Sequence, residues 1–142
     1  MRRAVCVLAV LAVVVTSAPA TSAAIRFKEV QYDPPGADTR SNLNQEFVVV
    51  RNSGADRVDL SGWWISSGRR QYTFRDFRLG PGKIVFVHTG SGTQARRHLY
   101  WGRERHAWTN GTGGVNLWSA PLTSRLVDTC MWFSIGDGHI DC

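Results

Sequence analysis

A chain of 142 residues with 17 basic and 11 acidic side chains is the usual size of one domain with a small core. Its formal charge of +6 is modest, and the cations are arginines apart from Lys28 and Lys83, so charge alone does not make nucleic acid the partner. Internal repeats, low-complexity tracts and linker-like composition are absent, which excludes repeat architectures.

Residues 1–24 read as a cleaved secretory signal peptide. Arg2 and Arg3 form the basic start, residues 4–15 are apolar, and Ala18-Pro19-Ala20 and Ser22-Ala23-Ala24 are small-residue cleavage patterns. The apolar stretch is shorter than the roughly 20 residues a membrane span needs; a retained anchor is the alternative. The expected mature domain is therefore 25–142, with 15 basic against 11 acidic residues, and its expected location is extracellular.

From residue 25 onward short strand-like runs alternate with turn signals. "IRFKEVQY" (25–32) sets Ile25, Phe27 and Glu29 on one face against Arg26, Lys28 and Val30, then stops at "DPPG", where proline removes a donor and glycine permits a turn. "EFVVVRN" (46–52) is β-branched and too apolar to tell its faces apart. "WWIS" (63–66), "QYTF" (71–74), "KIVFVHT" (83–89), "VNLWS" (115–119) and "SRLVDTC" (124–130) follow. Alternation pairs Trp63 with Ile65 against Trp64, and Val85 with Val87 against Ile84, Phe86 and His88. No window after the signal peptide carries a helical apolar period. Six or seven short strands with regular turns predict an all-β sandwich or barrel.

Loss of Cys6 with the signal peptide leaves Cys130 and Cys142, which allow one intramolecular pairing in an exported chain. Such a C-terminal staple would add about 3 kcal/mol by the chain-entropy estimate; free thiols or an intermolecular bridge are the alternatives. Neither cysteine lies in a C-x-x-C pair, so they do not suggest a metal site.

Four segments in order, "YDPPGADTRSNLNQEFVVVRNSG", "VDLSGWWISSGRRQYTF", "LGPGKIVFVHTGSG" and "LYWGRERHAWTNGTGG", resemble the lamin tail domain family in its secreted bacterial form. The resemblance spans residues 25–130 and implies an immunoglobulin-like β-sandwich. It would point Val48, Val50, Trp63, Ile65, Val85 and Val87 inward, pack Trp101 and Trp108 beneath the irregular segment, and turn Trp64 and Phe86 outward. Family members serve as interaction modules, contacting protein and chromatin in nuclear lamins and standing alone or beside hydrolases and nucleases in bacteria. This chain departs from the family at Ser66 and Ser67, where an aspartate is common, and at "TNGTGGV" (109–115). A loop-borne metal site is therefore not carried over.

Other patterns in the chain bear on chemistry. "GSGTQA" fits the dinucleotide glycine spacing at Gly90, Gly92 and Ala95, but no amphipathic helix follows to receive a pyrophosphate. His88, His98, His106 and His139 lack a metal-ligand or catalytic spacing; a small hydrolase using His98, Glu104 or His106 is the minor enzymatic alternative. Asp33, Asp38, Asn42, Asn44 and Glu46 offer oxygens suited to calcium, or to turn bonds.

The loop arginines and outward aromatics remain as contact candidates: Trp64, Phe86, Arg69, Arg70, Arg96, Arg97, Arg103 and Arg105, with Arg75 and Arg78 in the same class. The expected function is a secreted, non-catalytic binding or scaffolding module at the cell envelope, needing no cofactor or metal. Its partner would be a protein or envelope component. A nucleic-acid-binding accessory of a nuclease is the alternative.

Overall fold

The computed structural model describes residues 24–120, 124–133 and 136–142; the expected signal peptide, apart from Ala24, lies outside them. Among the described residues no helix is long and apolar enough to cross a membrane. The strands are β1 (Ile25–Gln31), β2 (Phe47–Asn52), β3 (Val58–Asp59), β4 (Trp64–Ser67), β5 (Arg70–Thr73), β6 (Arg78–Leu79), β7 (Ile84–His88), β8 (His98–Tyr100), β9 (Gly113–Ser119), β10 (Arg125–Trp132) and β11 (His139–Asp141), with one 3-10 turn at Leu43–Gln45.

They form a five-stranded sheet ordered β11-β1-β2-β7-β8, a four-stranded sheet ordered β10-β9-β4-β5, and a two-stranded ribbon of β3 and β6. Every pairing is antiparallel except β7 with β8. The all-β sandwich expected from the sequence is present. One sheet contributes Ile25, Phe27, Val30, Val48, Val50, Val85, Val87 and Leu99 to the core; the other contributes Ile65, Val115, Leu117, Cys130 and Trp132. Trp63, Phe74 and Trp108 join the same cluster, with Trp101 partly buried against it.

Strict alternation fails in β1. A register shift between Phe27 and Glu29 places one extra residue, Lys28, in the strand. The bulge resets the faces, so Ile25, Phe27 and Val30 are buried while Glu29 turns outward. The Phe27 amide donates instead to Asp128 Oδ2 at 2.8 Å. Asp128 sits at a second register shift, in β10, so one irregularity satisfies the other across the two sheets. The strands missed by the sequence reading, β3, β6, β8 and β11, are two or three residues long, too short to display a period.

Cys130 and Cys142 form a disulfide across 12 residues, joining the core side of β10 to the chain end after β11. Gly138 admits the turn before β11. Its φ is +88°, and a Cβ there would collide with the Asp33 backbone. Its carbonyl accepts from the Tyr32 and Asp33 amides at 2.8 and 3.0 Å.

The irregular segment after β8 is held by one buried carboxylate. Glu46 is fully buried and accepts from the amides of Ala107 at 2.9 Å and Trp108 at 2.8 Å. His106 Nδ1 lies 3.1 Å from Glu46 Oε2. Its Nε2 faces Asn42 Oδ1 at 3.2 Å and Asp38 Oδ1 at 3.7 Å, which ties the loop before β2 to the same segment. Burial raises the Glu46 pKa above its ordinary 4.5, opposed by the two amide donors. A carboxyl with a raised folded-state pKa favours the fold most below its ordinary range and loses that contribution as pH rises.

Truncation of Trp108 to alanine should cost about 3–5 kcal/mol in chemical denaturation, as for other buried aromatics. Glu46→Gln supplies one acceptor oxygen where two amides need one each, so it should cost about 1–3 kcal/mol at neutral pH. It should also remove the Glu46 component of the pH dependence.

Candidate functional site

A sandwich of two open sheets leaves edges where they meet, and here the side between β5 and β8 is concave. A groove of about 1200 Å³ is lined by Arg57, Arg75, Arg78, Lys83, Arg96 and Arg97, with Asp76 as its single acid. Its floor includes the apolar atoms of Phe77, Leu79, Ile84 and Leu99. Six cations around one concavity concentrate positive potential, because low-dielectric walls focus the field. Arg78 is partly offset by Asp59, whose Oδ2 is 3.2 Å from its Nε. That exposed pair is weak.

The groove continues into a smaller one of about 470 Å³, lined by Tyr72, Tyr100 and Trp101 among others and sharing Arg75, Gln94 and Leu99 with the first. Tyr72 packs edge-on against Trp101 at 6.0 Å, and burial pushes its hydroxyl up to about 12. Trp101 carries the Arg103 guanidinium 5.4 Å from its ring centroid. Burial, and after it the nearby Arg70 charge, lowers the Arg103 pKa.

The residues singled out from sequence divide among several surfaces. Arg96 and Arg97 line the main groove with Arg75 and Arg78. Arg69 and Arg70 stand at the β4–β5 turn and Arg105 is exposed on the irregular segment; none of these lines either groove. Arg57 and Lys83 were missed, and local sequence holds no signal for them. They are brought in by the chain turns at β3 and before β7.

Trp64 and Phe86 do not share a sheet. Trp64 belongs to the four-stranded sheet, stacked on Trp118 with centroids 6.0 Å apart. Leu126, opposite Trp118 in the ladder, is 51% exposed, so this face is an apolar strip. Phe86 belongs to the five-stranded sheet and stacks on His98 at 5.0 Å. Alternation predicts a side chain's face within a strand but carries no information on which sheet that strand joins, and both side chains are half-buried by their ring partners.

His98, Glu104 and His106 each find a different partner. His88 Nδ1 donates to the Asn44 carbonyl at 2.8 Å, which leaves its Nε2 to accept from His98 Nδ1 at 2.9 Å. Burial, and after it the proximity of His98, lowers the His88 pKa. Glu104 pairs instead with Arg40 at 3.5 Å, and His106 with Glu46. In the oxygen-rich loop, Asn42 makes local turn bonds while Asn44, Asp38 and Glu46 reach distant segments. Asn42 Oδ1 accepts from the Thr39 amide at 3.0 Å, Asn44 Nδ2 donates to the Ser91 carbonyl at 2.9 Å, and Glu46 faces the core.

The family model for the lamin tail domain matches residues 18–134. No curated protein is significantly similar to the chain.

Asp76 has a φ of +44°, a left-handed conformation that asparagine also tolerates. Asp76→Asn should therefore leave stability within about 0.5 kcal/mol, as surface changes usually do, while removing the groove's one negative charge. Titration with long-chain inorganic polyphosphate should show tighter binding for this variant at low salt, and no difference once salt screens the groove.

Proposed function

The chain belongs to the lamin tail domain family of immunoglobulin-like binding modules, and we propose that it is a secreted, non-catalytic member that docks an anionic polymer of the cell envelope in its basic groove. The observation that carries this reading is the convergence of Arg57, Arg75, Arg78, Lys83, Arg96 and Arg97 on one concavity with a single acid. Arginine suits the role because its planar guanidinium binds phosphate or carboxylate through two donors at once. The signal-peptide pattern at 1–24 supports an extracellular address, where wall and lipid polyanions are the abundant charged surfaces.

A second reading, a nucleic-acid-binding accessory of a nuclease, is favoured by the aromatic end of the channel. Tyr72, Tyr100 and Trp101 adjoin the cations, and bases stack on such rings in single-strand binders. Competition separates the two readings: a single-stranded oligonucleotide that outcompetes polyphosphate at equal charge, and quenches tryptophan fluorescence, favours nucleic acid.

The direct test is co-sedimentation with purified envelope from the producing cell, using wild type and the double variant Arg96→Glu, Arg97→Glu. Both arginines are exposed, so the fold should survive the charge reversal. Wild type should be retained at low salt and released at about 1 M, where the Debye length is about 3 Å; the variant should stay in the supernatant throughout. Equal retention of the two proteins would reject the groove as the contact.

A further inference from the structure

Glu29 on β1 and His139 and Asp141 on β11 occupy one face of an antiparallel pair. Glu29 stands directly opposite Asp141, and Gln31 opposite His139. One ligand atom from each of Glu29, His139 and Asp141 lies within 4.8 Å of the other two. His139 Nε2 is 3.9 Å from Glu29 Oε2, a separation too long for a hydrogen bond. Around a zinc ion with bonds of about 2.1 Å, tetrahedral donors sit about 3.4 Å apart. Side-chain rotation of donors that reach solvent, Asp141 being exposed, would bring them to that spacing with the strand register unchanged.

The placement of the two carboxylates is a second, separate observation. Like charges directly opposite each other across a ladder are destabilising, yet Glu29 and Asp141 are so paired. The Lys28 ammonium, 2.7 Å from Glu29 Oε2, offsets one of them; it holds the same oxygen that stands 3.9 Å from His139 Nε2, so a metal would compete with it there. An imidazole beside two carboxylates suits zinc and its neighbours better than calcium or magnesium, which prefer oxygen alone. Three protein donors would leave a fourth position to water.

We infer that β11 completes a divalent transition-metal site of the zinc class, formed by Glu29, His139 and Asp141, which clips the C-terminal strand to β1. The disulfide at Cys142 and the hydrogen bond from the Cys142 amide to the Lys28 carbonyl at 2.8 Å hold that strand in place. Metal would add a third tie at the solvent face. Glu29 lies within the family match, whereas His139 and Asp141 lie beyond residue 134, where it ends, so two of the three ligands come from outside the matched region.

The test is calorimetric titration of tag-free protein with Zn²⁺, paired with amide hydrogen exchange. The expected result is a single zinc per chain and slowed exchange of the β11 amides. His139→Ala and Glu29→Gln should abolish both effects. His98→Ala, which alters the separate His88–His98 pair, should change neither. Lys28→Ala keeps every ligand and removes a competitor, so it should bind zinc more tightly. The inference is overturned if wild type binds no zinc, if binding persists in His139→Ala, if it disappears in His98→Ala, or if Lys28→Ala leaves it unchanged.

Discussion

One buried carboxylate holds the least regular part of this molecule in register with the most regular. Glu46 stands at the entrance to β2, the central strand of the larger sheet, and its two oxygens receive the amides of Ala107 and Trp108. Those amides belong to a stretch without strand partners of its own. Left unmet in the interior, each would cost about as much as a lost hydrogen bond. With them satisfied, Trp108 enters the core and Trp101 packs on its edge at 6.2 Å. The chain leaving β8 is thereby anchored, and β8 forms one wall of the channel.

The electrostatic character of the channel follows from that geometry. The basic groove runs past β6, the start of β7 and β8, and reaches β5 only through the smaller aromatic groove; the chain before β3, at β6 and before β7 brings distant cations to the same rim. Their charge is only partly cancelled: Asp76 is the one acid lining the groove, and Asp59 at its margin pairs with Arg78 alone. Polar and apolar functions are thus separated on the sandwich. The open side carries charge, the outer face of the four-stranded sheet carries Trp64, Trp118 and Leu126, and the five-stranded sheet carries the ring stack of Phe86, His88 and His98. The opposite edge, β11, is fastened covalently to the second sheet.

Most of the frame was legible in the sequence because it rests on period-two patterning. Alternation paired Trp63 with Ile65 and Val85 with Val87, the family resemblance turned both pairs inward together with Val48 and Val50, and all six face the core; Cys130 and Cys142 pair. The bulge at Lys28 was not legible: one inserted residue inverts the faces beyond it, and what stabilises it is Asp128, far away in the chain. Glu46 read as one oxygen donor among several in a polar loop, since its burial depends on a segment some 60 residues later. The candidate site was only half visible. Arg96 and Arg97 were found as loop arginines, but Arg57 and Lys83 join them through tertiary folding that leaves no local mark. The same is true of Glu29 with His139 and Asp141, which lie at opposite ends of the domain.

The central claim is that the basic channel, and not either apolar sheet face, is the contact surface. Backbone amide chemical shifts recorded during titration with long-chain polyphosphate test it residue by residue. The account predicts changes concentrated in residues 75–84 and 94–101, vanishing as salt is raised. Changes centred instead on Trp64 and Trp118, or no changes at low salt, would contradict it.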